Sequence, residues 1–207
     1  MNFIKKHKVW FIAAAVLFLV LLFWPEGAQS SDFGITYIAS GRMTEADFSH
    51  LTGEMCDALK TVPGYENANV NIDEIAIMPD EGSGRQNALA RLLYGDGVIY
   101  IADYSLVRSI VDDDGLFAPL PKELEGDIFG ADKKAVAKSL KSFGDLSLSR
   151  DYEGLCVFIR SSETEDKELS RYMSENYDAA CEVLMKIEKN DKVKGFVRKN
   201  TKNCNFR

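Results

Sequence analysis

The longest apolar run in the chain comes first: sixteen residues from Val9 to Trp24, without a polar interruption. Lys5, Lys6 and Lys8 precede it and Pro25 ends it. A run of this length behind a basic start inserts into a membrane, and the lysines hold the N-terminus in the cytoplasm. Trp10 and Trp24 are placed as interfacial anchors. The expected topology is a cytoplasmic N-terminus (1–8), a signal-anchor (9–24), a polar linker (25–33, PEGAQSSDF) and the rest of the chain outside the cytoplasm. Ala28-Gln29-Ser30 has the small-x-small form of a cleavage site, so the alternative is a protein secreted after cleavage near Ser30.

Beyond the linker the apolar runs shorten and alternate with helical periodicity. ITYIA (35–39) is too short for a helix and has no polar alternation, as in a strand buried on both faces. Thr44 followed by Asp47 resembles a capping box, and Phe48, Leu51, Met55, Leu59 and Val62 then recur at helical spacing up to Pro63. VNIDEIAIM (70–78) predicts a second strand, with a bulge where its apolar pairs fall out of step across Asp73-Glu74. Ser83 and Gln86 offer a second capping box ahead of a helical stripe of Ala88, Leu89, Leu92 and Leu93. VIYIA (98–102) predicts a third strand, and a third helix capped by Asp103 carries Leu106, Val107, Ile110 and Val111.

The second half is less regular. Residues 131–143 predict a helix, LSLS (146–149) and GLCVFIR (154–160) predict strands, and Lys167–Glu188 a long helix with Leu169, Met173, Tyr177, Cys181 and Leu184 inward. Residues 191–207 form a basic tail, with Lys192, Lys194, Arg198, Lys199, Lys202 and Arg207. Strands and helices alternating at these intervals predict an α/β domain over 34–190, a mostly parallel sheet flanked by helices. The loops after the first three strands then share the edge where open parallel sheets bind ligands.

With 46% hydrophobic and 11% aromatic residues the chain has the composition of a packed domain. Setting the three N-terminal lysines aside from a net charge of −7 leaves −10, which argues against nucleic acid as a partner.

The chemistry is sparse. There are two histidines; His7 lies at the membrane entry and His50 on the polar face of the first helix with Asp47 and Glu54, so no Ser-His-Asp or Cys-His set is expected. Gly82-Ser83-Gly84 opens a helix but lacks the third glycine of GxGxxG and the Gly-Lys-Ser/Thr ending of a P-loop. Asp112-Asp113-Asp114-Gly115 lacks the alternating spacing of a calcium loop and predicts a helix end with Gly115 in a left-handed turn. No catalytic set, metal site or cofactor is expected.

Cys56, Cys156, Cys181 and Cys204 form no CxxC, and their spacing dictates no pairing. If a disulfide forms, Cys156 with Cys181 is the expected one, because a strand and its following helix usually pack together.

Residues 33–122 resemble the N-terminal part of extracellular solute-binding proteins, the substrate-capturing components of ABC transporters with a type II periplasmic-binding-protein fold. ITYIASG, VNIDEIAIM, GSGRQNALARLLYGD and VIYIADYSLVRSIVDDDGLFAPLP carry the likeness. It implies a shortened, membrane-anchored relative that binds a small ligand without catalysis, through Ser40, Gly41, Arg42, Ser83, Asp103 and Tyr104. Two other expectations remain open: a protein-interaction subunit of a multicomponent membrane complex, and, less favoured, a cell-envelope enzyme.

Overall fold

The structure, a computed structural model, describes residues 32–40, 43–76, 82–111, 115–143, 148–149, 152–189 and 204–206. The anchor at 9–24, most of the linker, most of the basic tail, Gly41 and Arg42, and the aspartate triplet 112–114 lie outside these residues. Among the described residues no helix is long and apolar enough to cross a membrane.

The first half of the chain builds the units expected of it. Strand β1 (Asp32–Ala39) is followed by helix α1 (Glu45–Lys60), β2 (Asn69–Ala76), α2 (Gly82–Tyr94), β3 (Ile99–Asp103) and α3 (Tyr104–Ile110). Both β2 and β3 pair with β1 in parallel.

β1 begins inside the stretch read as linker, with Asp32 opposite Asn69. The register between β1 and β2 runs unbroken to Ala39 opposite Ala76, so β2 carries no bulge. Its apolar pairs are out of step because Val70 and Ile72 pack on one side of the sheet and Ile75 on the other.

The second half is antiparallel. Strands β4 (Ile128–Phe129), β5 (Ala135–Ser139) and β6 (Leu155–Ile159) lead to helix α4 (Lys167–Glu188). β6 pairs antiparallel with β3, β5 with β6, and β4 with β5. Part of the basic tail joins as well: β7 (Cys204–Phe206) pairs in parallel with β2 at the other edge. The sheet has seven strands in the order β4-β5-β6-β3-β1-β2-β7. It is mixed rather than mostly parallel.

The helix predicted over 131–143 is instead β5 and a 3₁₀ turn, Leu140–Ser142. Pairing with β6 and burial of Val136, Ala137 and Lys138 override the helix propensity of an alanine- and lysine-rich stretch. Lys138 is buried there because its Nζ lies 2.9 Å from Glu188 Oε1, pinning β5 to α4. Leu148 and Ser149, predicted as strand, lie in none.

Both faces of the sheet are covered, which is why its central strands β1, β3 and β6 read as mostly apolar runs. Phe33, Ile35, Tyr37 and Ala39 pack with the α1/α4 layer; Ile38 faces the α2/α3 layer. Tyr100 and Phe158 stack on that second side, 5.2 Å apart at 11°. On α2 the buried stripe is narrower than predicted, because Leu93 is exposed.

The same division excludes the expected disulfide. Cys156 belongs to the α2/α3 side and Cys181 to the α1/α4 side, so the sheet lies between them, and both are free thiols, as is Cys56.

Close approach of β1 to the turn before β3 requires glycine at position 34. A Cβ there would lie 2.4 Å from the carbonyl oxygen of Asp96 and 2.9 Å from Gly97 Cα. Gly34→Ala is expected to lower unfolding stability by about 1–3 kcal/mol, as overpacking against backbone does, read as a lower midpoint in urea with an unchanged slope.

Candidate functional site

β1 leads through α1 to β2 on one side of it, and β2 leads through α2 to β3 on the other. α1 and α2 lie on opposite faces, so the chain reverses its direction of winding at the boundary between β1 and β3. At such a switch point the loops leaving the two strands diverge to opposite faces and open a crevice at their carboxyl ends.

Two residues picked from the sequence meet there. The backbone N–H of Ser40, just past β1, donates to Asp103 Oδ2 at 2.7 Å. Asp103 stands at the N-cap position of α3 but makes no side-chain cap to that helix, contrary to the sequence reading. Its carboxylate is turned to the loop leaving β1 instead.

Tyr104 is half-buried beside it, its N–H donating to the carbonyl of Gly154 at 2.8 Å and its ring lying 5.9 Å below the Arg108 guanidinium. Gly41 and Arg42 lie outside the described residues. Ser83 falls within the first turn of α2, which begins at Gly82, and its side chain is likewise outside them.

Around this pair lies a polar group that sequence reading missed. Asp47, assigned there to the polar face of α1, is 5% exposed. Its Oδ1 accepts from the Ser149 N–H at 2.8 Å. Its Oδ2 accepts from the hydroxyls of Ser149 at 2.5 Å, Tyr152 at 2.7 Å and Thr44 at 2.9 Å.

Tyr152 completes a loop of bonds by accepting the Thr44 N–H at 3.2 Å. The local half of this arrangement was visible: Thr44 caps α1 by accepting from the Asp47 N–H at 3.2 Å. Its other half comes from the segment ahead of β6, more than 100 residues away, and no local signal announces it.

These hydrogen bonds, the Ser149 hydroxyl and N–H foremost and the Tyr152 hydroxyl next, hold the Asp47 carboxyl well below the usual aspartate range. Nearby, burial pushes the Tyr37 phenol up and the charges of Asp103 and Glu74 add to it, while the Met43 N–H, donating to its oxygen at 3.1 Å, opposes. Burial, reinforced by Asp103 and Asp127, pushes the Cys156 thiol up to about 12, so it is not a nucleophile near neutrality. His50 Nε2 lies 3.4 Å from Glu54 Oε1 on α1, outside this group. Among the described residues no three His, Cys, Asp or Glu side chains are grouped to hold a metal ion.

The described groups at these strand ends are therefore carboxylates, Asp47 buried and Asp103 half-buried, each held by hydrogen bonds to backbone N–H groups or hydroxyls. No protein-family model, curated protein or solved structure matches the chain.

A lowered folded-state pKa stabilises the fold above the unfolded value, near 3.8, and that contribution is lost as pH falls through the folded value. Acid unfolding monitored by circular dichroism should therefore steepen below about pH 4. In Asp47→Asn stability should be lower at pH 7 and its fall between pH 5 and 2 shallower than in the parent chain.

Proposed function

We propose that the chain is an extracytoplasmic binding or accessory module, a reduced solute-binding-like α/β domain held at the membrane by residues 9–24. The crevice between β1 and β3 is its contact face. The observation that supports this reading is the Ser40 N–H to Asp103 carboxylate bond, which ties together the two strand-end loops that flank the switch point. Ser40, Gly41, Arg42, Asp103 and Tyr104, with Ser83 in the first turn of α2, are the residues assigned to ligand contact.

The reading is non-catalytic. Among the described groups, Asp47 is saturated with donors, His50 is turned to Glu54, and the Cys156 thiol is buried. A surface of this kind selects what it holds by hydrogen-bond geometry.

Thermal unfolding of the full chain against sugars, amino acids, short peptides and inorganic anions tests the proposal. A ligand at about 100 times its Kd should add roughly 2.7 kcal/mol and raise the midpoint by a few degrees. Asp103→Ala and Arg42→Ala should each abolish that shift while leaving the circular dichroism unchanged. An undiminished shift in both variants would remove the site from this edge. Silence across the panel, with a membrane protein co-purifying, would favour the interaction-subunit reading over ligand capture.

A further inference from the structure

At the opposite end of the central strands, where β3 begins and β6 ends, a half-open cavity of about 640 Å³ lies between the end of α2 and the start of α4. That volume is within the range of small-molecule sites. Its apolar wall is Leu93, Tyr94, Leu116 and Leu169. Three large apolar or aromatic side chains are exposed among the described residues, and two of them, Leu93 at 47% and Tyr94 at 81%, stand on this wall.

The charged groups of the cavity divide into those already engaged and those not. Arg160, 4% exposed, donates to the carbonyl oxygens of Leu93 and Gly95, which satisfies acceptors at the end of α2. Asp166 caps α4, accepting from the N–H groups of Glu168 and Leu169 at 2.9 and 3.1 Å. The Glu163 backbone N–H donates to Ser161 Oγ at 3.0 Å, but the carboxylates of Glu163 and Glu165 line the cavity with neither a hydrogen bond nor an ion pair among the described residues.

Gly115 makes room for one of them. It is in the left-handed region (φ +83°), and a Cβ there would meet the Cβ and Oε2 of Glu163 at 3.3 Å. The bare backbone lets that carboxylate lie at the mouth.

We propose that this cavity binds a small organic cation, an ammonium on an apolar or aromatic stem. The stem lies against Leu93, Tyr94 and Leu169, and the charge sits between Glu163 and Glu165. Two unengaged carboxylates beside an exposed aromatic ring favour a cation through charge-assisted hydrogen bonds and the face of the ring. An anion would meet the same two carboxylates, and the guanidinium that might hold it is already committed to backbone carbonyls. The net charge of −7 adds a weak attraction of the same sign. This site lies at the other end of the strands from the β1/β3 switch point and does not depend on the function proposed for it.

Three probes of one shape and different charge separate the outcomes: phenethylammonium, 2-phenylethanol and 3-phenylpropionate. Their binding to the full chain is measured by saturation-transfer NMR in neutral detergent, with detergent alone as the blank. Phenethylammonium should bind at least tenfold more tightly than either other probe, and more weakly as salt is raised. The double variant Glu163→Gln/Glu165→Gln, both positions being solvent-exposed, should cost about tenfold, and Tyr94→Ala several-fold. Preference for the carboxylate probe, absence of binding, or unchanged affinity in the double variant would overturn the proposal.

Discussion

The central position of β1 constrains everything built around it. Its residues are buried on both faces, and both of its edges are filled by parallel strands. Parallel neighbours require crossovers, and two crossovers of one hand to opposite sides of a strand must use opposite faces. The α1 and α2 layers, the two separate apolar clusters and the switch point between β1 and β3 follow from that requirement. Placing Ser40 and Asp103 side by side is a further consequence.

Buried polar groups then tie the less regular second half to this frame. Asp47 joins the start of α1 to Ser149 and Tyr152, ahead of β6. Lys138 joins β5 to α4 through Glu188. Arg160 joins the end of β6 to the end of α2, and Tyr100 reaches the same helix by donating to the Arg91 carbonyl at 3.2 Å. Each link satisfies a group whose burial would otherwise be costly. Together they fix the loops at both ends of the central strands, where the switch point and the cavity lie.

Legibility in the sequence followed the range of the interactions involved. ITYIA, VIYIA and GLCVFIR announced strands because each is a short, mostly apolar run without polar alternation, and Lys167–Glu188 announced a helix through its periodicity. Residues 131–143 misled because their composition favours a helix while their partners, β6 and Glu188, are remote in sequence. Asp103 occupies the cap position its sequence context suggests, yet its carboxylate goes to Ser40, 63 residues away. Asp47 looked like a surface helix residue for the same reason: three of the four donors to its carboxylate lie in a segment with no local sequence link to α1. The switch point depends on the order of the strands, which is set by pairing between segments remote in sequence.

The account rests on Asp103 joining the two strand-end loops rather than capping α3. Amide hydrogen exchange in the parent chain and in Asp103→Ala tests this most directly. The account predicts that Ser40 exchanges about tenfold faster in the variant, the ratio expected for loss of a hydrogen bond of roughly 1.5 kcal/mol, while the first-turn amides of α3, Ser105 to Val107, are unchanged. Faster exchange in that turn with Ser40 unaffected would contradict it.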